Sequence, residues 1–331
     1  MTFTGGGDSD PAQRGLELAG HARDLRTGAD GEAEVLAEAT VRAVLDGSRV
    51  LGRLETSPAV PAAQSLVGER VAGGFRAAVD QAVPDHRHAR SPLYLLLDDL
   101  PVAALISGYA DLYRRDPASP PMPAPSTPGS VDTTTPGPVD PTTPGPGDGA
   151  DPSRAAPALK ADICSGWRSD GTMMVALREE GRIPITVGPI APALEDPSDP
   201  WGWHRIEPLG PGAMRRRRLI DVTAGDPLVV RAMFRDTHAD SAGVETVLHE
   251  YTLELELDPV NLVVHRSEAT PRVLPWVECP AAAASAHRLE GQTVEGLRSF
   301  VRGELAGTST CTHLNDLLRS IADVGALVTA L

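Results

Sequence analysis

The sequence predicts an α+β protein of two related halves, each an antiparallel β-meander followed by two helices, able to pair as a pseudo-dimer. Three observations lead there. Residues 116–152 hold 12 prolines among 37 positions, a composition that buries no apolar surface and divides the chain. Residues 23–46 align without a gap to 235–258, and nine of the 24 pairs are identical, among them Arg23/Arg235, Asp24/Asp236, Gly31/Gly243, Glu38/Glu250 and Asp46/Asp258. In both halves alternating polarity gives way to helical spacing of apolar residues.

Taken in order, residues 1–11 carry no pattern and are expected to be disordered. The first half, 12–115, reads as strands over 15–25, 34–46 and 48–57, with helices near 68–82 and 92–114. Residues 116–157, with the near-repeat TTPGPVD/TTPGPGD, form a Pro/Thr/Gly-rich linker. An extension over 158–213 has no counterpart in the first half. It carries ICSGW and WGWH, short strands near 173–178 and 183–187, and a proline-rich wrap. The second half, 214–331, predicts strands over 217–223, 227–237, 246–257 and 260–269. Within 246–257, Val247, His249, Tyr251, Leu253, Leu255 and Leu257 share the core face, while Leu248, Glu250 and Thr252 face away. A loop through Pro271, Pro275 and Pro280 follows. Val294, Leu297, Val301 and Leu305 then have helical spacing, as do Leu314, Leu317, Ile321, Val324 and Val328. The two halves are expected to pair across a pseudo-twofold axis.

Composition bounds the function. The chain has 331 residues, 41% hydrophobic, and a formal net charge of −15, which argues against nucleic acid or an anionic membrane as partner. No apolar run reaches the roughly 20 residues of a membrane span. The first ten residues lack a secretory pattern, and three cysteines cannot build a disulfide framework, so a cytoplasmic setting is expected. Lys160 is the one lysine among 30 basic residues, a skew that reflects a GC-rich genome.

The motifs MRRRRLIDV (214–222), FRDTHAD (234–240), LHEYTLELELD (248–258), PWVECP (275–280), LEG (289–291) and CTHL (311–314) resemble the bacterial family catalogued as domain of unknown function 2889. The resemblance covers about 158–331, with ICSGW and WGWH similar to actinobacterial members that carry an N-terminal extension. It implies a fold grouping and no reaction. The first half is a degenerate copy, without the cysteine and histidine of CTHL.

Comparing the copies locates candidate chemistry. Where the second half has His238, His249, Tyr251, Cys311 and His313, the first has Arg26, Ala37, Ala39, Pro92 and Tyr94. Reactive side chains are thus confined to one copy. Cys311 falls where a helix begins, with Thr310 as N-cap, and helix amides there favour a thiolate. His249 lies on the apolar face of its strand, with Tyr251 two residues on. Catalytic candidates are therefore His249, Cys311, His313 and Tyr251. Trp203, His204 and His238 are candidates for binding a small-molecule ligand, with His238 and Cys279 near the cavity rim. The run Asp236, His238, Asp240 admits a metal, a proton relay or ordinary turn chemistry, and Arg215–Arg218 reads as a solvated, ion-paired edge. No cofactor motif is present. Three functions stay open: an enzyme using acid–base or thiolate chemistry on a small organic molecule, a non-catalytic binding or assembly module, and a zinc-stabilised domain with ligands His249, Cys279, Cys311 and His313.

Overall fold

The structure, a computed structural model, describes residues 2–7, 15–115, 122–124 and 160–331. Its centre is one antiparallel sheet of eight strands. The first half contributes β1 (Thr2–Gly7), β2 (Leu16–Thr27), β3 (Ala33–Leu45) and β4 (Leu51–Ser57). Next come α1 (Phe75–Ala82), α2 (Pro84–His88), α3 (Pro92–Ile106) and α4 (Gly108–Arg115). The two-residue strands β5 (Met122–Pro123) and β6 (Thr186–Val187) pair in parallel, with α5 (Thr172–Glu180) between them in sequence. The second half contributes β7 (Met214–Thr223), β8 (Leu228–Ala239), β9 (Glu245–Leu257) and β10 (Val264–Val273). It ends in α6 (Leu297–Glu304), α7 (Thr312–Ser320) and α8 (Val324–Val328).

Strand order is β10-β9-β8-β7-β1-β2-β3-β4. Each half is therefore a four-stranded meander, and the halves join edge to edge where β1 pairs with β7, Thr2 opposite Arg217 and Gly5 opposite Met214. Residues 2–7 depart from the expectation of disorder. They close the gap between β2 and β7, where both edges would otherwise expose unpaired backbone groups. The rest of 1–11 lies outside the described residues, as does the linker 116–157 apart from 122–124.

The two meanders share local devices at matched positions. Arg23 lies opposite Glu38 as Arg235 lies opposite Glu250, and both strand pairs shift register immediately after Asp24 and Asp236. The following turns each use a glycine at φ 81°, Gly31 and Gly243, a left-handed conformation that glycine adopts without strain. Asp46 and Asp258 both cap the next turn, accepting backbone N–H bonds from Ser48 and Val50, and from Val260 and Asn261.

Helices pack on one face only. Leu18, Ala22, Val41 and Leu45 meet α1 and α3, while Val230, Phe234, Tyr251 and Leu253 meet α6 and α7. Pro92–Ala110 is apolar enough over 19 residues to suggest a membrane span, yet it is mostly buried inside the protein. It packs against β1, β2, β3 and α7, and Val102, Ile106 and Ala110 reach Met214 and Leu248 of the second half. Leu248 departs from the expected outward orientation. The register passes from Asp236/His249 to Thr237/Val247, which leaves Leu248 in a bulge and turns it into this contact.

Three further expectations change. Residues 173–178 form α5 rather than a strand, because the Thr172 N–H and hydroxyl both donate to Glu278 Oε1 at 2.8 Å and Gly181 at φ 69° ends the helix. The loop after Pro275 is largely a 3₁₀ run over Cys279–Leu289. Arg215–Arg218 is no solvated edge. Pairing with β1 places β7 inside the sheet, with Arg216 and Arg218 buried on the helix face.

Candidate active site

β8 and β9 present Asp236, His249 and Tyr251 to the helix face, and the first turn of α7 brings His313 down onto them. The His249 and His313 rings stack at 4.0 Å between centroids, with planes 19° apart. Asp236 Oδ2 lies 3.4 Å from His249 Nδ1. Arg216 fixes that carboxylate through a two-pronged contact, Nε to Oδ1 at 2.6 Å and Nη2 to Oδ2 at 2.8 Å. Burial pushes Asp236 towards protonation, but Arg216 outweighs it and holds the carboxyl below its ordinary range. Burial, with His249 alongside, drives His313 well below 6.5, so its imidazole is neutral near pH 7. His313 Nε2 is buried without a hydrogen-bond partner, and His249 Nδ1 is buried with only the long Asp236 contact.

The first half roofs this site. Tyr109 of α4 meets His249 edge-on at 5.6 Å, and Tyr113 stacks on His238 at 4.1 Å. Behind the histidines lies a buried ion network. Asp98 and Asp99 of α3, with Asp236, Asp316 and Asp323, face Arg76, Arg216, Arg218, Arg298 and Arg319, five carboxylates against five guanidiniums. Asp98 takes Arg298 at 2.8 Å and Arg319 at 3.0 Å, and so ties α3 to α6 and α7.

The sequence candidates thus separate into groups. His249 and His313 meet, and His238 stands two residues beyond Asp236 on the same strand face, buried under Tyr113 rather than at a rim. Asp240 caps its turn, accepting from Ala242 and Val244 N–H. Tyr251 is buried in the core, its hydroxyl donating to the Cys279 carbonyl at 3.4 Å, and burial raises its pKa far above 10.

Cys311 departs from the thiolate expectation. It is the N-cap of α7, and the amides of Leu314 and His313 do approach its sulfur, but burial dominates and pushes the thiol up to about 12. Thr310 is not the cap, and its hydroxyl bonds back to the Gly307 carbonyl. Cys279 is buried in the core with its sulfur against Gly166, and neither cysteine joins the histidines. Among the described residues, the three-residue group able to offer converging ligand atoms is Asp236, His249 and His313, not the thiol-containing zinc set.

Trp203 and His204 lie across the sheet from His249. Residues 189–207 hydrogen-bond the free edge of β9 at Val247 and then cross the face opposite the helices. There Arg217 stands over the Trp203 ring at 5.7 Å, and His204 stacks on His21 at 3.9 Å. A cleft of about 120 Å³ on this face is lined by Arg215, Arg217 and Arg235, each already ion-paired to a glutamate.

Sequence reasoning missed Arg216, Tyr109, Tyr113 and the Asp98–Asp99 pair. The last had a signal: two adjacent acids inside the apolar run LYLLLDDLP demand buried cationic partners.

A family model described as protein of unknown function (DUF2889) matches residues 214–326. The second half resembles the DUF2889 family. The DUF2889 segment opens at the first residue of β7 and closes within α8, so it contains Arg216, Asp236, His249 and His313 but neither roofing tyrosine. No characterised protein and no solved structure matches the chain.

Proposed function

We propose that this protein is an enzyme that acts on a small organic molecule by acid–base chemistry at His249 and His313. One observation carries the reading: two stacked imidazoles, His249 within 3.4 Å of a carboxylate held ionised by Arg216 and His313 with a buried Nε2 that lacks a hydrogen-bond partner. A buried unpaired nitrogen costs stability and persists where something uses it. His249 is the proton acceptor, Asp236 orients its ring, and His313 is the neutral partner that exchanges the proton. Burial pushes the Cys311 thiol up to about 12, which favours the imidazoles over thiolate chemistry.

We also infer that the halves descend from one duplicated unit, of which the second kept the reactive interior. The shared register shift supports this, with Asp24 opposite Ala37 where Asp236 stands opposite His249. Among the described residues Asp24 has no arginine paired to it as Arg216 is to Asp236, and burial with nearby Asp323 raises it to about 6. Three free, buried cysteines fit a reducing compartment.

The test is a turnover screen of small esters, amides and organic acids with the full chain and with His249→Ala and His313→Ala. Activity on a panel member that is lost in both variants, with far-UV circular dichroism unchanged, supports the reading. Activity that survives both substitutions overturns it. Unfolding of both variants assigns the pair to packing. That outcome favours an assembly module, for which the interlocked ion network between the halves is the supporting observation.

A further inference from the structure

Resting on the site just described and extending it, we propose that Asp236, His249 and His313 hold a divalent transition-metal ion that binds together with an anion. Each residue offers one ligand atom, and the three atoms lie within 4.8 Å of one another. Metal bonds of about 2.0–2.2 Å bring such atoms to roughly 3–3.5 Å apart, so closure requires shifts on the order of 1 Å. The stacked rings present their edges side by side, and a shared ion at that edge asks one ring to turn about its Cβ–Cγ bond.

A second observation comes from hydrogen bonding. His313 Nε2 is buried and makes no hydrogen bond, and His249 Nδ1, on a side chain only 4% exposed, has just the long 3.4 Å contact to Asp236. A coordinate bond would satisfy what the protein leaves open. Arg216 lies along one side of the Asp236 carboxylate and engages each oxygen once, and a carboxylate oxygen carries a second lone pair. Two imidazoles and one carboxylate form the facial donor set that leaves positions open for substrate and water.

Charge sets the class of co-ligand. The ion-paired network balances five carboxylates with five guanidiniums, and Asp24 beside Asp323 adds one carboxylate, so the surroundings hold less negative charge than a dication brings. An uncompensated buried charge is strongly disfavoured. The ion therefore enters with an anion on its open positions, which points to a carboxylate-bearing small molecule as substrate.

The experiment is a Co²⁺ titration of full-length, chelator-treated protein, read by visible absorption and melting temperature, with and without acetate. About one equivalent should bind, raise the melting temperature, and bind at least about threefold more tightly with acetate. His249→Ala and His313→Gln should each weaken binding by about tenfold or more. Circular dichroism establishes that each variant is folded, and if one unfolds, the wild-type titration decides. Binding below about a tenth of an equivalent overturns the proposal, as does unchanged binding in the folded variants. No effect of acetate overturns the anion requirement. The acid–base reading is tested separately by turnover, since His249-dependent activity without Co²⁺ binding would remove the metal and leave the base.

Discussion

Replacing Asp98 with asparagine tests whether the buried ion network holds the two halves together. The side chain is 1% exposed. Burial pushes its carboxyl up, but Arg319, Arg298 and Arg76 outweigh that and hold it ionised. Asparagine keeps the shape and removes the charge, leaving four carboxylates for five guanidiniums. Arg298 retains Asp323 at 2.5 Å and Arg319 retains Asp316 at 2.6 Å, so the deficit is one buried positive charge rather than three orphaned arginines. Breaking a buried pair in this way costs about 3–5 kcal/mol. At about 2–4 °C per kcal/mol for a domain of this size, the melting temperature should fall by roughly 6–20 °C. Differential scanning calorimetry of the full chain reads this directly. Glu268→Gln is the internal control, since the Arg266–Glu268 pair is about half exposed on both sides, where water and salt screen the attraction and the pair contributes little. A fall for Asp98→Asn no larger than that for Glu268→Gln would refute the reasoning.

Other consequences follow from single features. Burial depresses His313 well below 6.5 and His204 to about 3, so as the pH falls from 7 towards 6 the unfolded chain takes up protons that the folded chain refuses. Denaturant stability should drop over that window. Below about pH 6, Asp24, raised to about 6, binds its proton more tightly folded than unfolded and offsets part of the loss, and a flat profile from 7 to 6 would contradict the assignment. A Cβ at Gly188 would overlap the Val247 carbonyl oxygen, so Gly188→Ala should lift residues 189–191 off β9, seen as faster amide exchange at Val247. Cys311, with its thiol at about 12, should resist iodoacetamide at neutral pH in the native protein and react once unfolded.

What the sequence made legible follows from the range of the forces involved. Strand alternation is local, and β8 and β9 fall within two residues of where periodicity places them. His249 was readable because an imidazole on an otherwise apolar strand face is an anomaly that one strand can show. The join was not readable. Half of Thr2–Gly7 is glycine, which weakens a strand, and it is a strand because two neighbouring edges need pairing. Arg216 looked solvated for the same reason, since nothing local says that β7 is interior. Cys311 shows two opposing effects in one residue. The helix start is legible and favours a thiolate, but the burial that reverses it comes from residues far away in sequence.

The imidazole resonances of the full-length protein test the central claim most directly. In proton–nitrogen correlation spectra across pH 8 to 5, His204 and His313 should stay neutral. His249→Ala should move the His313 ring protons downfield, because it removes the ring stacked 4.0 Å away. If His313 titrates near 6.5 and does not respond to loss of His249, the two imidazoles do not share a buried site, and the account fails.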